Sequence, residues 1–284
     1  MKCTLCPIGC NNDKKLNKGF CGTDDNITIA KYSLHRFEEP FISGSNGSGT
    51  VFFCGCSLKC VFCQNYELSR NKRGKIITTK ELSDIFKQLE DMGAHNINLV
   101  NPTHYSNKIV EALEIYKPNI PIVYNTHGYE NLSTLQQMDK HIDVYLPDIK
   151  FYSSTLSKRY TGRENYFDIA SKAIEFMANK PLKLHANGTL ESGTIVRHLV
   201  LPQATADSKH ILDWLATIKD KVYINVMSQY TPFGQIENFK ELQRKITKRE
   251  YDAVIDYAIS LGIEKMFYQD MVSADEKYIP DWTY

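Results

Sequence analysis

TVFFCGCSLKCVFCQN, residues 50–65, joins an apolar run to four of the chain's eight cysteines. The run TVFFC is short and rich in β-branched and aromatic residues, so it predicts a buried strand. Cys56, Cys60 and Cys63 follow it with the spacing C-x3-C-x2-C. Cys54 stands too close to Cys56 to share a chelate with it comfortably. We therefore interpret three cysteines as a matched set and Cys54 as a small buried hydrophobic residue.

The composition is typical of an ordinary soluble protein with a core large enough for one main domain and a small attachment. The formal net charge is +1 and the basic residues are dispersed, which argues against nucleic-acid or membrane partners. The sequence contains no apolar run long enough to span a bilayer, and MKCTLCPIGC lacks the hydrophobic region of a signal peptide. We expect a cytoplasmic protein, in which clustered cysteines favour metal ligation over disulfides.

Six strand candidates alternate with helical patterns after residue 50: TVFFC, NINLV, IPIVYN, IDVYLP, GTIVRHLVL and VYINVM. Two helical patterns begin with a capping box, formed by Thr78 with Glu81 and by Thr247 with Glu250. Parallel strands need crossover helices, so the alternation predicts a parallel α/β sheet. Because six units are too few for the usual closed barrel, we expect an open partial (β/α)6 barrel. A doubly wound sheet is the alternative.

A second cysteine group lies near the N-terminus, where Cys3, Cys6, Cys10 and Cys21 have the spacing C-x2-C-x3-C-x10-C. The surrounding sequence has too few apolar residues to hold itself folded, so we expect a metal centre to supply the folding energy. The spacing suits both zinc and a [4Fe-4S] cluster. Unligated thiols in a flexibly attached lobe are a third interpretation.

The Gly/Ser/Asn-rich segment FISGSNGSGT, residues 41–50, predicts a loop between the two cysteine groups. We therefore expect a cysteine-rich metal-binding lobe at residues 1–48. The partial barrel, with a C-terminal helical extension, is expected at residues 49–284.

Polar residues follow nearly every predicted strand. The cysteines follow the first strand, and Arg197 lies on the fifth. The second, third, fourth and sixth strands are followed in turn by NPTH (101–104), NTHGYE (125–130), PDIK (147–150) and SQYTPFG (228–234). In parallel α/β folds, ligands and catalytic groups gather beyond the carboxyl ends of the strands. The sequence therefore predicts a functional site at the barrel mouth.

The pattern C-x3-C-x-F-C, with Phe62 before the last cysteine, resembles the signature of the radical SAM enzymes. This resemblance implies that Cys56, Cys60 and Cys63 hold a [4Fe-4S] cluster whose fourth iron binds S-adenosylmethionine. Electron transfer into the sulfonium would yield methionine and a 5′-deoxyadenosyl radical, which abstracts a hydrogen atom from the substrate. The cofactors carry this chemistry, and the protein positions them and excludes water.

Several further segments resemble the branch of that superfamily related to pyruvate formate-lyase-activating enzyme. They are GSGTVFFCGCSLKCVFCQNYE, NLVNPTH, VYLPDIKFY, IVRHLVLP, NVMSQYTPFG and the N-terminal CTLCPIGC and GFCG. By this resemblance, Phe62 lies near the adenine and Arg197 belongs to a strand of the cofactor site. Asp148 and Lys150 match a segment that contacts S-adenosylmethionine.

One family element is missing, because NPTH occupies the place of the Gly-Gly-Glu element that binds the methionyl amino group. Asn101, Thr103 and His104 offer oxygen or nitrogen acceptors to an ammonium, so they are the candidates for that role.

The resemblance implies a radical SAM oxidoreductase that abstracts hydrogen from a peptide or protein, as in the activation of glycyl radical enzymes. Its electron donor would be a flavodoxin or ferredoxin. Radical modification of a small metabolite or of another macromolecule is the second hypothesis. A non-enzymatic iron–sulfur or zinc protein is the third, and the polar strand ends argue against it because an electron carrier needs no such mouth.

Overall fold

The computed structural model describes residues 2–70 and 73–268. Its strands are β1 (Ile27–His35), β2 (Ser48–Phe53), β3 (Lys75–Ile77), β4 (Ile97–Val100), β5 (Ile122–Thr126), β6 (Val144–Pro147), β7 (Lys183–Leu184), β8 (Leu190–Leu199), β9 (Tyr223–Met227) and β10 (Met266–Tyr268). Its α-helices are α1 (Pro40–Ser43), α2 (Tyr66–Ser69), α3 (Thr79–Asp91), α4 (Ser106–Ile115), α5 (Leu132–Met138), α6 (Ser154–Thr161), α7 (Tyr166–Met177), α8 (Thr205–Ala216) and α9 (Lys248–Ser260).

The centre of the sheet is a run of parallel strands in the order β2-β4-β5-β6-β8-β9. These are the six strands predicted from the sequence, and the prediction of an open, parallel α/β fold is confirmed. Since the strands are parallel and adjacent, all six carboxyl ends lie at one edge of the sheet. The loops that follow these strands therefore meet there.

Strands outside this run extend the sheet at both edges. β10 pairs parallel with β9. At the other edge β1 pairs antiparallel with β2, and β3 pairs antiparallel with β1. β1 lies within the predicted N-terminal lobe and yet continues the main sheet, so where the lobe ends stays a prediction.

The connector at 41–50 differs from the predicted loop. Helix α1 ends within it at Ser43 and strand β2 begins within it at Ser48. Ser48 is fully buried, and its hydroxyl donates to Asn96 Oδ1 at 2.6 Å. Small polar residues are used here because the strand packs tightly and satisfies its hydroxyls internally, and composition alone does not distinguish this from a loop.

Both predicted capping boxes are present. Thr78 Oγ1 accepts from the Glu81 backbone N–H at 3.1 Å, and Glu81 Oε2 accepts from the Thr78 N–H at 2.7 Å. Thr247 and Glu250 make the same pair of bonds at the start of α9. Among the described residues, every helix is too short or too polar to cross a bilayer. The part of the predicted C-terminal extension at 269–284 lies outside the described residues.

The cysteine loop after β2 is anchored to its neighbours through Val61. The Val61 N–H donates to the Tyr160 carbonyl at 2.9 Å, and the Val61 carbonyl accepts from the Gln235 N–H at 2.8 Å. Gly234 has φ +88°, and a Cβ at this position would overlap the Val61 carbonyl oxygen. Glycine at 234 therefore allows the loop after β9 to approach the cysteine loop closely.

We expect Gly234→Ala to destabilise the protein more than Gly162→Ala. Gly162 also has a positive φ, +73°, but a Cβ there would have open space around it. The control should lose about 1–2 kcal/mol from left-handed backbone strain, and Gly234→Ala should lose about 1–3 kcal/mol more from overpacking. Urea unfolding under anaerobic conditions measures both. Equal losses of unfolding free energy in the two variants would mean that the close approach of Gly234 to Val61 does not limit the side chain at position 234.

Candidate active site

A cavity of about 270 Å³ opens at the carboxyl ends of the parallel strands. Every parallel strand of the central run contributes to its lining, either directly or through the loop that follows. The main polar and sulfur-bearing residues around it are Cys56, Cys60, Cys63, Gln64, Asn101, Asn125, His127, Asp148, Lys150, Arg197 and Gln229. The structure therefore brings together the cysteine motif and most of the polar strand ends identified in the sequence.

The three matched cysteines share this cavity. Cys56 Sγ accepts the backbone N–H groups of Leu58 and Lys59 at 3.4 and 3.5 Å. Burial raises the pKa of all three thiols, that of Cys63 to about 11, and the positive charge of Lys150 partly opposes this. The free thiols are thus protonated near neutral pH, and metal binding would have to displace their protons.

Cys54 faces elsewhere. It is fully buried, its Sγ donates to the Arg73 carbonyl at 2.8 Å, and it packs in a cluster with Ala30, Phe52 and Leu68. Cys54 does not line the cavity that the other three cysteines share.

Phe62 lies beside the cysteines in an aromatic group. Its ring meets those of Phe151, Tyr160 and Tyr230 edge-on, at centroid separations of 6.1, 6.1 and 6.2 Å. Phe62 is buried and lines the cavity. The ring therefore forms a fixed apolar part of the cavity wall.

Asp148 and Lys150 form a nearly buried ion pair on one side of the cavity. Lys150 Nζ donates to Asp148 Oδ2 at 2.7 Å, and Arg197 Nε donates to Asp148 Oδ1 at 2.8 Å. The side chain of Lys150 is 16% exposed, that of Asp148 15% and that of Arg197 14%. Burial alone would raise the pKa of Asp148, but the two cations outweigh it and lower the pKa below its ordinary value. The carboxylate therefore stays ionised and orients both cations.

Two acidic residues that the sequence analysis did not single out complete this network. Arg197 Nη1 lies 3.4 Å from Glu38 Oε2 and 3.8 Å from Glu39 Oε1. Burial and the neighbouring Glu39 raise the pKa of Glu38 to about 7, with Arg197 opposing the shift. In the sequence, only the adjacency of the two glutamates before Pro40 could have pointed to this role. Adjacent glutamates are common on protein surfaces, so the pair did not indicate a buried site.

The three NPTH candidates separate in the structure. Asn101 lines the cavity, donates through Nδ2 to the Gly55 carbonyl at 2.5 Å, and has φ +57°. Its Oδ1 has no hydrogen-bond partner among the described residues. Of the three, Asn101 alone reaches the cavity in the described part of the chain.

Thr103 and His104 are buried away from the cavity lining. Thr103 Oγ1 donates to Glu130 Oε1 at 2.6 Å, and His104 Nε2 lies 2.7 Å from the Cys54 carbonyl oxygen. Burial and the nearby Lys14 lower the pKa of His104 to about 3, so the ring is neutral and carries its proton on Nε2. These two residues hold the ends of β2 and β4 in position.

The N-terminal cysteines lie close together on the barrel. A Cβ at Gly19 would sit 3.4 Å from Cys21 Sγ and 3.5 Å from Cys10 Sγ, so both sulfurs flank the same glycine. Burial raises the pKa of the Cys6 thiol to about 12, and Cys21 and Cys3 contribute to the same shift. Among residues 2–70 and 73–268, no three His, Cys, Asp or Glu side chains converge as they would on a single metal ion.

The N-terminal segment is attached directly to the site. The Cys56 N–H donates to the Cys21 carbonyl at 3.1 Å, and Lys14 Nζ donates to the His104 carbonyl at 2.7 Å. Thr134 Oγ1 at the start of α5 donates to the Leu5 carbonyl at 2.8 Å. The two cysteine groups thus lie on adjoining segments of the mouth.

Residues 50–215 match the sequence profile described as the Radical SAM superfamily. The chain belongs to the radical SAM superfamily. The matched region begins at the strand before the cysteines and ends in α8, so it contains the cysteine motif, the Asp148–Lys150 pair and Arg197.

Two individual proteins are similar to this chain. The chain is 28% identical over 275 residues to an uncharacterized protein of Methanocaldococcus jannaschii, covering 93% of this chain and 76% of the relative. It is 28% identical over 197 residues to the pyruvate formate-lyase-activating enzyme of Clostridium pasteurianum, covering 65% of this chain and 75% of that enzyme.

A solved structure shows the same fold. The crystal structure of Streptococcus suis SuiB bound to S-adenosylmethionine aligns with a TM-score of 0.52 and 18% identity over 77% of this chain. The chain spans about half of that protein, 49% of its length.

Radical SAM enzymes use a [4Fe-4S] cluster and S-adenosylmethionine, and the cavity fits both groups. A cluster needs each thiolate on a different iron rather than convergence on one ion. Three thiols line the cavity, those of Cys56 and Cys60 buried and that of Cys63 partly buried, and Cys56 Sγ already accepts two backbone N–H groups, as cluster sulfurs do. The lining also holds the ammonium of Lys150 and the side chain of Asn101, whose Oδ1 accepts no hydrogen bond from the described residues.

We predict that Cys56→Ala, Cys60→Ala or Cys63→Ala each removes about four irons per chain relative to wild type. Cys54→Ala is the matched control, since its thiol packs in the core instead. Iron analysis and visible absorbance of anaerobically purified protein measure this directly. Loss of the same iron in Cys54→Ala, from protein with unchanged circular dichroism, would contradict the assignment.

Proposed function

We propose that this radical SAM enzyme abstracts a hydrogen atom from a peptide or protein, in the manner of a glycyl-radical-enzyme activase. The observation that carries the proposal is that three cysteines and the Asp148–Lys150–Arg197 network line the same cavity. Similarity to the activating enzyme of Clostridium pasteurianum over 65% of the chain supports the peptide or protein substrate.

The bound cofactors would supply one-electron cleavage of S-adenosylmethionine to methionine and a radical that becomes 5′-deoxyadenosine on taking a substrate hydrogen. A flavodoxin or ferredoxin is the proposed source of the electron. The part of the protein is to bind, orient and exclude water. Phe62, buried among three aromatic rings, is proposed to contact the adenine.

Lys150 is the residue proposed to bind the cofactor carboxylate. An ammonium has three N–H donors, and among the described side chains Lys150 Nζ donates one of them to Asp148. Burial alone would lower the pKa of Lys150, but Asp148 outweighs it and raises the pKa, so the ammonium stays charged. Asn101 Oδ1 is proposed as an acceptor for the cofactor ammonium. Thr103 and His104, bonded to Glu130 and to the Cys54 carbonyl, would hold the segment that carries Asn101 in position.

Cleavage of S-adenosylmethionine is the first test of this function. Anaerobic, cluster-reconstituted protein with dithionite should form 5′-deoxyadenosine from S-adenosylmethionine. Peptides deuterated at carbon should then transfer deuterium into that product if a peptide is the substrate. Absence of any 5′-deoxyadenosine from protein with a full iron content would overturn the proposed activity.

Lys150→Ala should weaken S-adenosylmethionine binding by about 10- to 100-fold, because it removes a charge-assisted hydrogen bond from a nearly buried site. Lys172→Ala on the exposed face of α7 is the matched control and should bind as wild type does. Calorimetric titration of the anaerobic, reconstituted proteins gives the affinities. Equal affinities for the two variants would reduce the Asp148–Lys150 pair to a structural ion pair.

The N-terminal lobe is proposed to carry a second metal centre bound by Cys3, Cys6, Cys10 and Cys21. The support is the grouping of these thiols and their contact with the cysteine loop through Cys21. Zinc would act as a structural clasp, and it would require these thiols, which do not converge on one point among the described residues, to move together around a single ion. A [4Fe-4S] cluster would relay electrons to the catalytic cluster.

Metal analysis separates these two forms of the lobe. Anaerobically purified protein should contain about four irons and one zinc if the lobe holds zinc, and about eight irons if it holds a cluster. The double variant Cys3→Ala with Cys6→Ala should lose only the lobe's metal. Four irons without zinc, unchanged in that variant, would mean that the lobe binds no metal.

A further inference from the structure

A second cavity of about 430 Å³ adjoins the cysteine cavity. Five residues line both cavities, among them Glu38 and Arg197, so the two spaces share a wall. Glu39 and Asn225 line the second cavity and not the first. A molecule in the second cavity would therefore lie next to the site proposed for S-adenosylmethionine.

Two residues that line this cavity, Glu39 and Asn225, each carry a buried side-chain oxygen. Glu39 is 7% exposed and Asn225 is 2% exposed. Glu39 Oε2 and Asn225 Oδ1 have no hydrogen-bond partner among the described residues. Asn225 Nδ2 donates to Glu39 Oε1 at 3.1 Å, which fixes the orientation of the amide. Both unused atoms are acceptors, so the complementary ligand must be a hydrogen-bond donor.

The charge balance around the two cavities favours a cationic donor. Three carboxylates, Glu38, Glu39 and Asp148, face two cations, Lys150 and Arg197, within one network. Arg197 already directs Nε and Nη2 to Asp148 and Asn125, at 2.8 and 2.7 Å. Burial and the neighbouring Glu39 raise the pKa of Glu38 to about 7, and a cation bound beside the two carboxylates would favour the ionised form of both.

The apolar part of the wall suits the same ligand. Phe37 and Phe267 line the second cavity, and aromatic faces attract ammonium and guanidinium groups. Together with the unused carboxylate oxygen, they form a site for a cation attached to an apolar chain.

We propose that the second cavity binds a protonated amine or guanidinium of the substrate, with Glu39 as its principal partner. This inference rests on the proposed function and specifies its substrate: a cationic molecule or a peptide with a Lys or Arg side chain. The cation anchors the substrate at Glu39, and the chain that carries it extends past the shared wall towards the cysteine cavity.

Matched probes test the charge requirement on wild-type protein alone. Full-length, cluster-loaded protein with S-adenosylmethionine is titrated with pentane-1,5-diamine and with pentane-1,5-diol, and in a parallel arm with agmatine. We expect the diamine or agmatine to bind at least about 30-fold more tightly than the diol, the ratio expected for a buried charge pair. Equal affinity for the cations and the diol, or no cation binding in any arm of the experiment, would overturn the proposal.

The residue assignment is tested with Glu39→Gln, which keeps the shape of the side chain and removes its charge. The variant should bind the preferred cation about 30-fold or more weakly. Glu164→Gln, at an exposed glutamate with a 63% exposed side chain, is the control and should bind as wild type does. Circular dichroism checks that both variants are folded, and undiminished binding by folded Glu39→Gln would overturn the assignment.

A peptide arm distinguishes the source of the cation. N-acetyl-Gly-Lys-Gly-amide is compared with the same peptide carrying norleucine in place of lysine. Preference for the lysine peptide over the free diamine identifies a peptide substrate, and the reverse identifies a small amine. Failure to cleave S-adenosylmethionine would contradict the proposed function. Cleavage by a protein that binds the cations no more tightly than the diol would contradict only the cation site.

Discussion

The guanidinium of Arg197 connects three parts of the chain that are distant in sequence. It donates to Asp148 after β6 and to Asn125 on β5, and it faces Glu38 before α1. Burying a charge is costly unless every donor is matched, and losing one partner of such a group is more costly still. The positions of the acidic segment and of the strand ends are therefore mutually dependent, and Arg197 itself lines both cavities.

The parallel sheet explains why these groups meet. The six strands of the central run, in the order β2-β4-β5-β6-β8-β9, point in one direction, so the residues just past each strand are neighbours in space whatever their separation in sequence. The cysteine loop gains a further constraint from Val61, which is bonded on both sides to other segments. A cofactor would thus enter a site whose thiols and ion pairs are already held in place, and such preorganisation lowers the cost of binding.

The sequence was informative where a signal is local. Strand periodicity predicted the six parallel strands, and the Thr78–Glu81 and Thr247–Glu250 spacings predicted two helix starts, because each depends on residues that are near one another in the chain. Glu38 and Glu39 could not be predicted in this way, since only the distant Arg197 and Asn225 give them a role. The composition of residues 41–50 was misleading for the same reason, as Ser48 is buried through contact with Asn96. Thr103 and Asn101 are two residues apart, yet only tertiary packing directs one to Glu130 and the other to the cavity.

The N-terminal lobe and the cysteine loop cannot move independently. Lys14 donates to the His104 carbonyl, His104 donates through Nε2 to the Cys54 carbonyl, and Cys56 donates to the Cys21 carbonyl. These bonds form a closed circuit through the lobe, the segment after β4 and the cysteine loop. Whatever fixes the lobe, a metal or its own packing, therefore also fixes the backbone on either side of Gly55. The lobe would act on the catalytic loop through these contacts even if it carried no electrons, because its structural effect needs only that it be folded.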